Sequence, residues 1–257
     1  MVKLSFKQVR ILILLSILIY VATDQALAQY HARSWSNTLH VVIYPINGDK
    51  SEASQQTINT LTTAKFSSVA QFIKQQATHY NILINQPIEI ALAPQINKPP
   101  ALPAFDSGMI SAMWWSLKMR WWAWYENTYE GDKDIRLFVE YYANENTNSH
   151  ISVGLKKGMM AFIKNYADKQ FTERNNIIVA HEMLHTLGAS DKYNPITLMP
   201  DYPQGYANPS LGQNTKQTQC EIMAGRTPYN HDLAIMPTSL KACVIGKTTA
   251  KEIGWLK

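Results

Sequence analysis

Hydrophobic and polar positions alternate along the chain in blocks that predict a mixed α/β architecture. Four stretches rich in β-branched and aromatic residues predict strands, at residues 39–46, 87–93, 134–142 and 151–155. Between the first two strands, apolar residues recur at near-helical spacing over residues 51–80. This spacing predicts one long amphipathic helix with a single buried stripe.

A second helix is predicted over residues 172–187, because apolar residues there fall on one face and Thr172 is a suitable N-cap. After Gly188 the chain changes character, since prolines and glycines are frequent between residues 195 and 237. That composition predicts an irregular lobe held by loops.

A tryptophan-rich stretch lies at residues 113–125 and holds five of the seven tryptophans. Both a period of two and a helical period fit its apolar positions, so the pattern leaves the element type open. The rings could line a substrate groove or touch a membrane surface. Large aromatic side chains are more often part of a core, and the core interpretation is favoured here.

The N-terminus has the pattern of an export signal. Residues 1–10 are basic, residues 11–22 are almost wholly apolar, and Ala26-Leu27-Ala28 provides small residues for cleavage. Twelve apolar residues span about 18 Å as a helix, less than the roughly 30 Å of a bilayer core. We therefore expect residues 1–28 to be a signal peptide. The alternative is an uncleaved anchor, with membrane association through residues 11–22.

Either interpretation places the remainder of the chain outside the cytoplasm, as a periplasmic or secreted protein or as an anchored one facing outward. In that setting Cys220 and Cys243 could form one disulfide, and two reduced, buried cysteines are the alternative.

Composition and charge exclude several classes of function. The chain has 257 residues, of which 46% are hydrophobic and 11% aromatic, and this excludes a disordered protein. Two cysteines are too few for a disulfide scaffold. The net charge is +5, of which residues 29–257 carry +3, and there is no run of like charges. Nucleic acid is therefore not an expected partner.

The candidate metal-binding and catalytic residues lie at the end of the second predicted helix. His181 and His185 are four residues apart, so on a helix both imidazoles face one point, as zinc ligands do. Glu182 is offset by one residue and reaches the edge of such a site, where a carboxylate can act as a general base. The spacing predicts a zinc site.

A third ligand is needed, and three residues compete for this role. Gly188 can end the helix in a left-handed turn that brings Asp191 back towards the histidines. His231, on a distant loop, would give a three-histidine site. Glu221 would give a site with two histidines and one glutamate. The spacing favours Asp191.

These residues resemble the metzincin clan of zinc metallopeptidases. The extended motif of the clan, H-E-x-x-H-x-x-G-x-x-H/D, is matched by His181, Glu182, His185, Gly188 and Asp191. Most members have histidine at the last position, and the aspartate is the rarer variant. An anionic third ligand would acidify the bound water less, which leaves more of the proton transfer to Glu182.

The resemblance extends to a downstream turn whose methionine lies beneath the metal. Ile222-Met223-Ala224-Gly225 is similar to this Met-turn. Met199 and Met236 compete for the role, and Met223 is favoured because Gly225 supplies the turn. The tyrosine that often assists in the clan would fall at Gly225, so Tyr229 and Tyr193 are candidates only by proximity.

The resemblance implies an α+β fold with a mixed sheet in an upper lobe, residues 29–187, and an irregular lower lobe, residues 188–257. It further implies one catalytic zinc ion, a zinc-bound water that Glu182 deprotonates, and a peptide or protein substrate. The alternative is a non-catalytic, zinc-stabilised binding domain of the cell envelope.

Overall fold

The computed structural model describes residues 5–98, 109–143, 153–155, 158–213 and 215–257. Its centre is a five-stranded sheet in the order β2-β1-β3-β5-β4. The strands are β1 (Leu39–Asn47), β2 (Ile88–Leu92), β3 (Ile135–Tyr142), β4 (Val153–Leu155) and β5 (Met160–Tyr166). This sheet with helices on both faces confirms the predicted α+β class.

Four of the strands are parallel, and β4 pairs with β5 in the antiparallel direction at one edge. The central strands are buried on both faces, and Val41, Val42 and Ile43 are fully enclosed. Strands of this kind read as continuous apolar runs rather than as an alternation. No strand is predicted at β5, because its apolar run covers only residues 160–163 and so short a run does not distinguish a strand from part of a buried helix.

The predicted single helix over residues 51–80 is wrong. The structure has α2 (Glu52–Asn59) and α3 (Ser67–His79), joined through a 3-10 turn at Thr63–Phe66. The intervening residues include three threonines, which have low helix propensity, and Phe66 turns into the core. The apolar stripe of each helix still packs against the sheet. The predicted helical spacing therefore holds within each helix, but the helix is interrupted between them.

The tryptophan-rich stretch is helical, as α4 (Met109–Tyr125). Met119 and Ala123 are buried on the face of the sheet opposite to α3, and Trp122 lies against Phe138 with ring centroids 5.0 Å apart. Only one side of α4 therefore belongs to the core, in contrast to the interpretation that the sequence favoured for the whole stripe.

The N-terminal helix, α1 (Phe6–Ser34), is longer than its apolar segment and continues past Ala28. It is long and apolar enough to cross a membrane, and none of its most apolar window is buried. Its last turn differs, because Ala32 and the following Trp35 are in the core. The Trp35 indole donates a hydrogen bond of 2.7 Å to the Ile253 carbonyl. The helix is compatible with a signal peptide or a membrane anchor.

Beyond Gly188 the described chain is mostly irregular. Two short strand pairs lie there, β6 (Cys220–Glu221) with β9 (Cys243–Val244) and β7 (Thr227–Pro228) with β8 (Ala234–Ile235). A short helix, α6 (Lys247–Glu252), and Trp255 close the chain against the core.

Candidate metal centre

The helix α5 (Thr172–Leu187) carries the motif and packs against β5 and its neighbours in the sheet, beside α3. Its bounds are those predicted, but the N-cap is Phe171 rather than Thr172, whose hydroxyl donates to the Lys169 carbonyl of a preceding 3-10 turn. It ends at Gly188, whose φ of 110° and ψ of 2° are left-handed. Only glycine adopts this conformation without strain, and it turns the chain back along the helix.

That reversal brings three side chains together. The two imidazole Nε2 atoms of His181 and His185 are 3.0 Å apart. The Asp191 Oδ1 atom lies 3.2 Å from the Nε2 of His181 and 3.1 Å from that of His185. The site therefore contains a nearly equilateral triangle of two nitrogens and one oxygen.

The other nitrogen of each ring fixes its protonation. The Nδ1 of His181 lies 2.9 Å from the Ile222 carbonyl, and that of His185 lies 2.8 Å from the Ala189 carbonyl. A carbonyl can only accept, so each Nδ1 donates and each neutral ring keeps its lone pair at Nε2. The triangle therefore consists of three acceptors facing one another, an arrangement that needs a cation or a proton at its centre.

Without a metal, a proton occupies this position. Burial alone would lower the pKa of His181, but the hydrogen bond with Asp191 and the negative charge of Glu182 raise it to about 9. Burial alone would raise the pKa of Asp191, and its hydrogen bonds with both histidines hold it well below the usual range. The protein itself thus stabilises positive charge at the centre of the triangle.

The triangle fits a zinc ion by donor type and by size. Zinc binds imidazole nitrogen and carboxylate oxygen at about 2.0–2.1 Å, which separates neighbouring ligand atoms of a tetrahedral site by about 3.3 Å. Each of the three distances given above, 3.0 to 3.2 Å, is close to this value. The carbonyls behind both rings provide the outer hydrogen bonds that such ligands usually have.

Glu182 lies beside the triangle and faces a cleft. Its carboxylate is buried, and the ligand atoms of His181, Glu182 and His185 all lie within 4.8 Å of one another, so this group could hold a metal ion. His181 and Glu182 line a cleft of about 570 Å³ together with Tyr193 and the Ala224–Arg226 turn. Glu182, the predicted general base, therefore lines the same cleft as the candidate ligand His181.

The predicted Met-turn contacts the site through its backbone. Met223 is fully buried in a 3-10 turn, Ile222–Ala224, which ends at Gly225 with a φ of 67°. The Ile222 carbonyl accepts the bond from His181, and the Met223 carbonyl accepts one of 3.0 Å from the backbone N–H of Lys192. This turn connects the motif helix to the segment that carries Asp191.

Glu221 and His231, the two rival ligands, are occupied elsewhere. The buried Glu221 carboxylate accepts hydrogen bonds from the backbone N–H groups of Met223, Ala224 and Gly246 and from the Thr249 hydroxyl. It caps the turn rather than joining the triangle. The His231 side chain is exposed, and its Nδ1 lies 2.7 Å from Asp232.

The two candidate tyrosines differ in position. Tyr193 lines the cleft and is half-buried, and its pKa is raised by burial and by the charges of Asp191 and Glu182. Tyr229 is exposed, and its ring lies 4.4 Å from the Lys216 ammonium group. Tyr193 is therefore the tyrosine whose environment belongs to the site.

A clamp that the sequence analysis missed holds the Asp191 segment. The Lys192 ammonium is buried and lies 2.7 Å from the Glu252 carboxylate of α6. The same carboxylate accepts bonds from the backbone N–H and the hydroxyl of Ser190. Both neighbours of Asp191 are thereby fixed to the C-terminal helix, and nothing in the local sequence signals a partner 60 residues away.

Glu252→Gln is expected to destabilise the fold by about 1–3 kcal/mol, because Lys192 would lose its charged partner in a buried position. Burial alone would raise the pKa of Glu252, but Lys192 and Ser190 lower it. The stabilisation is therefore complete above the ordinary value of 4.5 and is lost as the pH falls through the folded-state value. Denaturant unfolding at several pH values measures this, with the exposed Glu173→Gln as control. Equal loss of stability in both variants would contradict the clamp.

The two cysteines face each other across β6 and β9. Cys220 pairs in register with Cys243, both are buried, and the two Sγ atoms are 2.9 Å apart. Cys220 directly precedes Glu221, so this contact lies at the base of the turn that touches His181.

We expect the pair to become a disulfide when the chain is exported into an oxidising compartment. Thiol exchange with a disulfide donor would join the two sulfurs and reduce the donor to its dithiol. Closing a loop of 23 residues should add about 3 kcal/mol to the stability. Mass spectrometry should find the chain lighter by two hydrogens, and Cys243→Ser should expose one reactive thiol. Two free thiols in the exported, unfolded chain would refute this.

No family model matches the chain, and no curated protein matches it. Two crystal structures of wild-type OgpA from Akkermansia muciniphila are similar, with 11% and 10% identity and TM-scores of 0.41 and 0.39. Each match covers 85% of this chain and 60% of OgpA, so the chain spans less than two thirds of that protein.

Proposed function

We propose that this chain is an exported zinc metallopeptidase that uses Glu182 as its general base. The observation that carries the proposal is the convergence of His181, His185 and Asp191, whose three acceptor atoms lie 3.0 to 3.2 Å apart beside a cleft. The extended motif of the metzincins, including its aspartate variant, predicts the same set from the sequence alone.

Bound zinc would supply a Lewis acid that activates water at neutral pH. Glu182 would accept the proton of that water at its carboxylate and deliver it to the departing amine of the peptide. Its position beside His181 and at the wall of the cleft favours this role.

Tyr193 would stabilise the negative charge that develops on the carbonyl oxygen. Its hydroxyl keeps its proton at neutral pH, because burial and the nearby carboxylates raise its pKa. A protonated phenol can donate a hydrogen bond to an oxyanion. Tyr193 would thus take the place of the tyrosine that the metzincin pattern puts at Gly225.

An extended substrate peptide would bind along β4. This strand lies at the sheet edge and is antiparallel to β5, with one side unpaired among the described strands. Backbone groups at a free edge can add a peptide as a further strand. The predicted strand at residues 151–155 is observed at Val153–Leu155, and residues 151–152 lie outside the described part of the chain.

The rival proposal is a zinc ion that only stabilises a binding domain. Structural sites have four protein ligands and no open position. Here the Asp191 side chain is 45% exposed, and Glu182 faces the cleft, so the centre is accessible to solvent. This accessibility favours catalysis.

Removal of the metal tests the requirement for it directly. Incubation with a chelator is expected to abolish hydrolysis of a quenched fluorescent peptide library, and one equivalent of Zn²⁺ should restore it. Circular dichroism before and after chelation distinguishes loss of metal from loss of fold. Full hydrolysis by protein that has been shown to contain no metal would refute the proposal.

A further inference from the structure

The helix α4 carries a continuous aromatic face that the fold leaves in solvent. Its members follow one another at three- and four-residue spacing, so they lie on one side of the helix. Each is between 52% and 71% exposed. This aromatic face consists of Trp114, Leu117, Trp121, Trp124 and Tyr125.

The opposite side of α4 is fixed in the core, so the helix cannot turn to hide its aromatic face. Met119 and Ala123 are buried against the sheet, and Trp122 contacts Phe138. By contrast, the two tryptophans outside α4, Trp35 and Trp255, are each only 5% exposed. A cluster of three exposed tryptophans on one helix is the kind of apolar surface that marks a site of contact with a membrane or another protein.

The position of α1 indicates what covers this face. A cavity of about 790 Å³ is lined on one side by α1, from Tyr20 to Gln29, and on the other by Arg120 and Trp124 of α4. The apolar segment of α1, residues 11–22, ends at the level of this cavity. If α1 enters a bilayer, the C-terminal half of α4 therefore lies where hydrocarbon gives way to headgroups.

The chemistry of α4 suits that level. Tryptophan and tyrosine concentrate at membrane interfaces, because their rings are apolar and their N–H and O–H groups can still bond to headgroups or water. The exposed Lys118 and the partly exposed Arg120 flank the aromatic face and can reach lipid phosphates. A helix that is held by the core on one side and exposes tryptophans beside basic side chains on the other can lie in the plane of the interface.

We propose that the aromatic face of α4 inserts into the interface of the lipid bilayer that α1 enters, as a second contact beside that helix. Because α5 packs on the opposite face of the sheet, this contact holds the candidate metal centre away from the bilayer. The proposal takes the alternative in which α1 stays attached as an uncleaved anchor; it rests on residues of α1 and α4 and is independent of peptidase activity.

Lipid quenching of tryptophan fluorescence tests the contact in the full chain. α1 contains no tryptophan, so anchoring by α1 contributes no signal. The chain is synthesised without cells in the presence of phosphatidylcholine vesicles, with or without bromine on the upper acyl carbons. The variant Trp114→Ser/Trp121→Ser/Trp124→Ser removes the exposed rings, and Leu83→Ser/Ile196→Ser is a control that removes two exposed apolar side chains outside α4.

We expect brominated lipid to quench a fraction of the emission at least twofold larger in the wild type and in the control than in the triple variant. Aqueous iodide should quench the wild type less in vesicles than in detergent. Equal quenching by brominated lipid in wild type and triple variant would overturn the proposal. The proposal would also be overturned if the tryptophans were protected from iodide in a dimeric protein without lipid. That result would show that a second copy of the chain covers the aromatic face. Hydrolysis of a soluble peptide, measured in parallel, reports on the proposed peptidase separately.

Discussion

Glu182→Gln is expected to reduce peptide hydrolysis by about 10²–10⁴-fold, the range for loss of a general base. Glutamine has the same size and keeps a hydrogen-bonding oxygen, but it cannot accept a proton from water at neutral pH. Glu182 is buried next to His181 and lines the cleft, so we expect no other group to replace its carboxylate as the proton acceptor. The triangle of His181, His185 and Asp191 does not depend on it, so metal content should be unchanged.

The matched control for this variant is Glu173→Gln. Glu173 lies on the same helix, in its first turn, and is exposed to solvent. The comparison requires steady-state hydrolysis and zinc content for the wild type and both variants. Activity of Glu182→Gln within threefold of the wild type, with zinc bound, would remove Glu182 from the catalytic role.

Asp191→Asn is expected to weaken zinc binding by more than the 10–100-fold typical of lost outer hydrogen bonds, because here a direct ligand is altered. The amide oxygen is neutral, so it neutralises none of the charge of the ion, and the amide can also present its N–H₂ group to the histidines. The Lys192–Glu252 clamp keeps the segment in place in both proteins. The loss should therefore appear in affinity rather than in folding.

The control for this prediction is His231→Ala, which removes the rival histidine ligand. Competition with a chromophoric zinc chelator gives both affinities, and urea unfolding of the metal-free proteins checks the fold. We expect His231→Ala to bind zinc as the wild type does. If His231→Ala lost zinc and Asp191→Asn retained it, the ligand assignment would be reversed.

The candidate centre was predictable from the sequence because its determinants are local. His181 and His185 stack one helical turn apart, and Gly188 allows the turn that returns Asp191 within six residues of His185. Backbone geometry alone brings these groups together once the helix forms. The helix in turn follows from its apolar face, which packs on the sheet.

Contacts between distant segments were not predictable in this way. The Lys192–Glu252 pair and the Trp35 bond to the Ile253 carbonyl each join residues far apart in the chain, and single residues carry no sign of such partners. Glutamate is a residue type that zinc accepts, so Glu221 is a possible ligand by sequence, yet two hydrogen bonds join its carboxylate to the turn and two join it to the start of α6. Its role depends on the location of α6, which local patterns do not contain.

The most direct test of the central claim is zinc K-edge X-ray absorption of the purified, zinc-loaded chain. The structure predicts a first shell of nitrogen and oxygen at about 2.0–2.2 Å, with two imidazole rings. A first shell containing sulfur at about 2.3 Å would place the metal at Cys220 and Cys243. That result, or a shell without imidazole, would contradict a zinc centre formed by His181, His185 and Asp191.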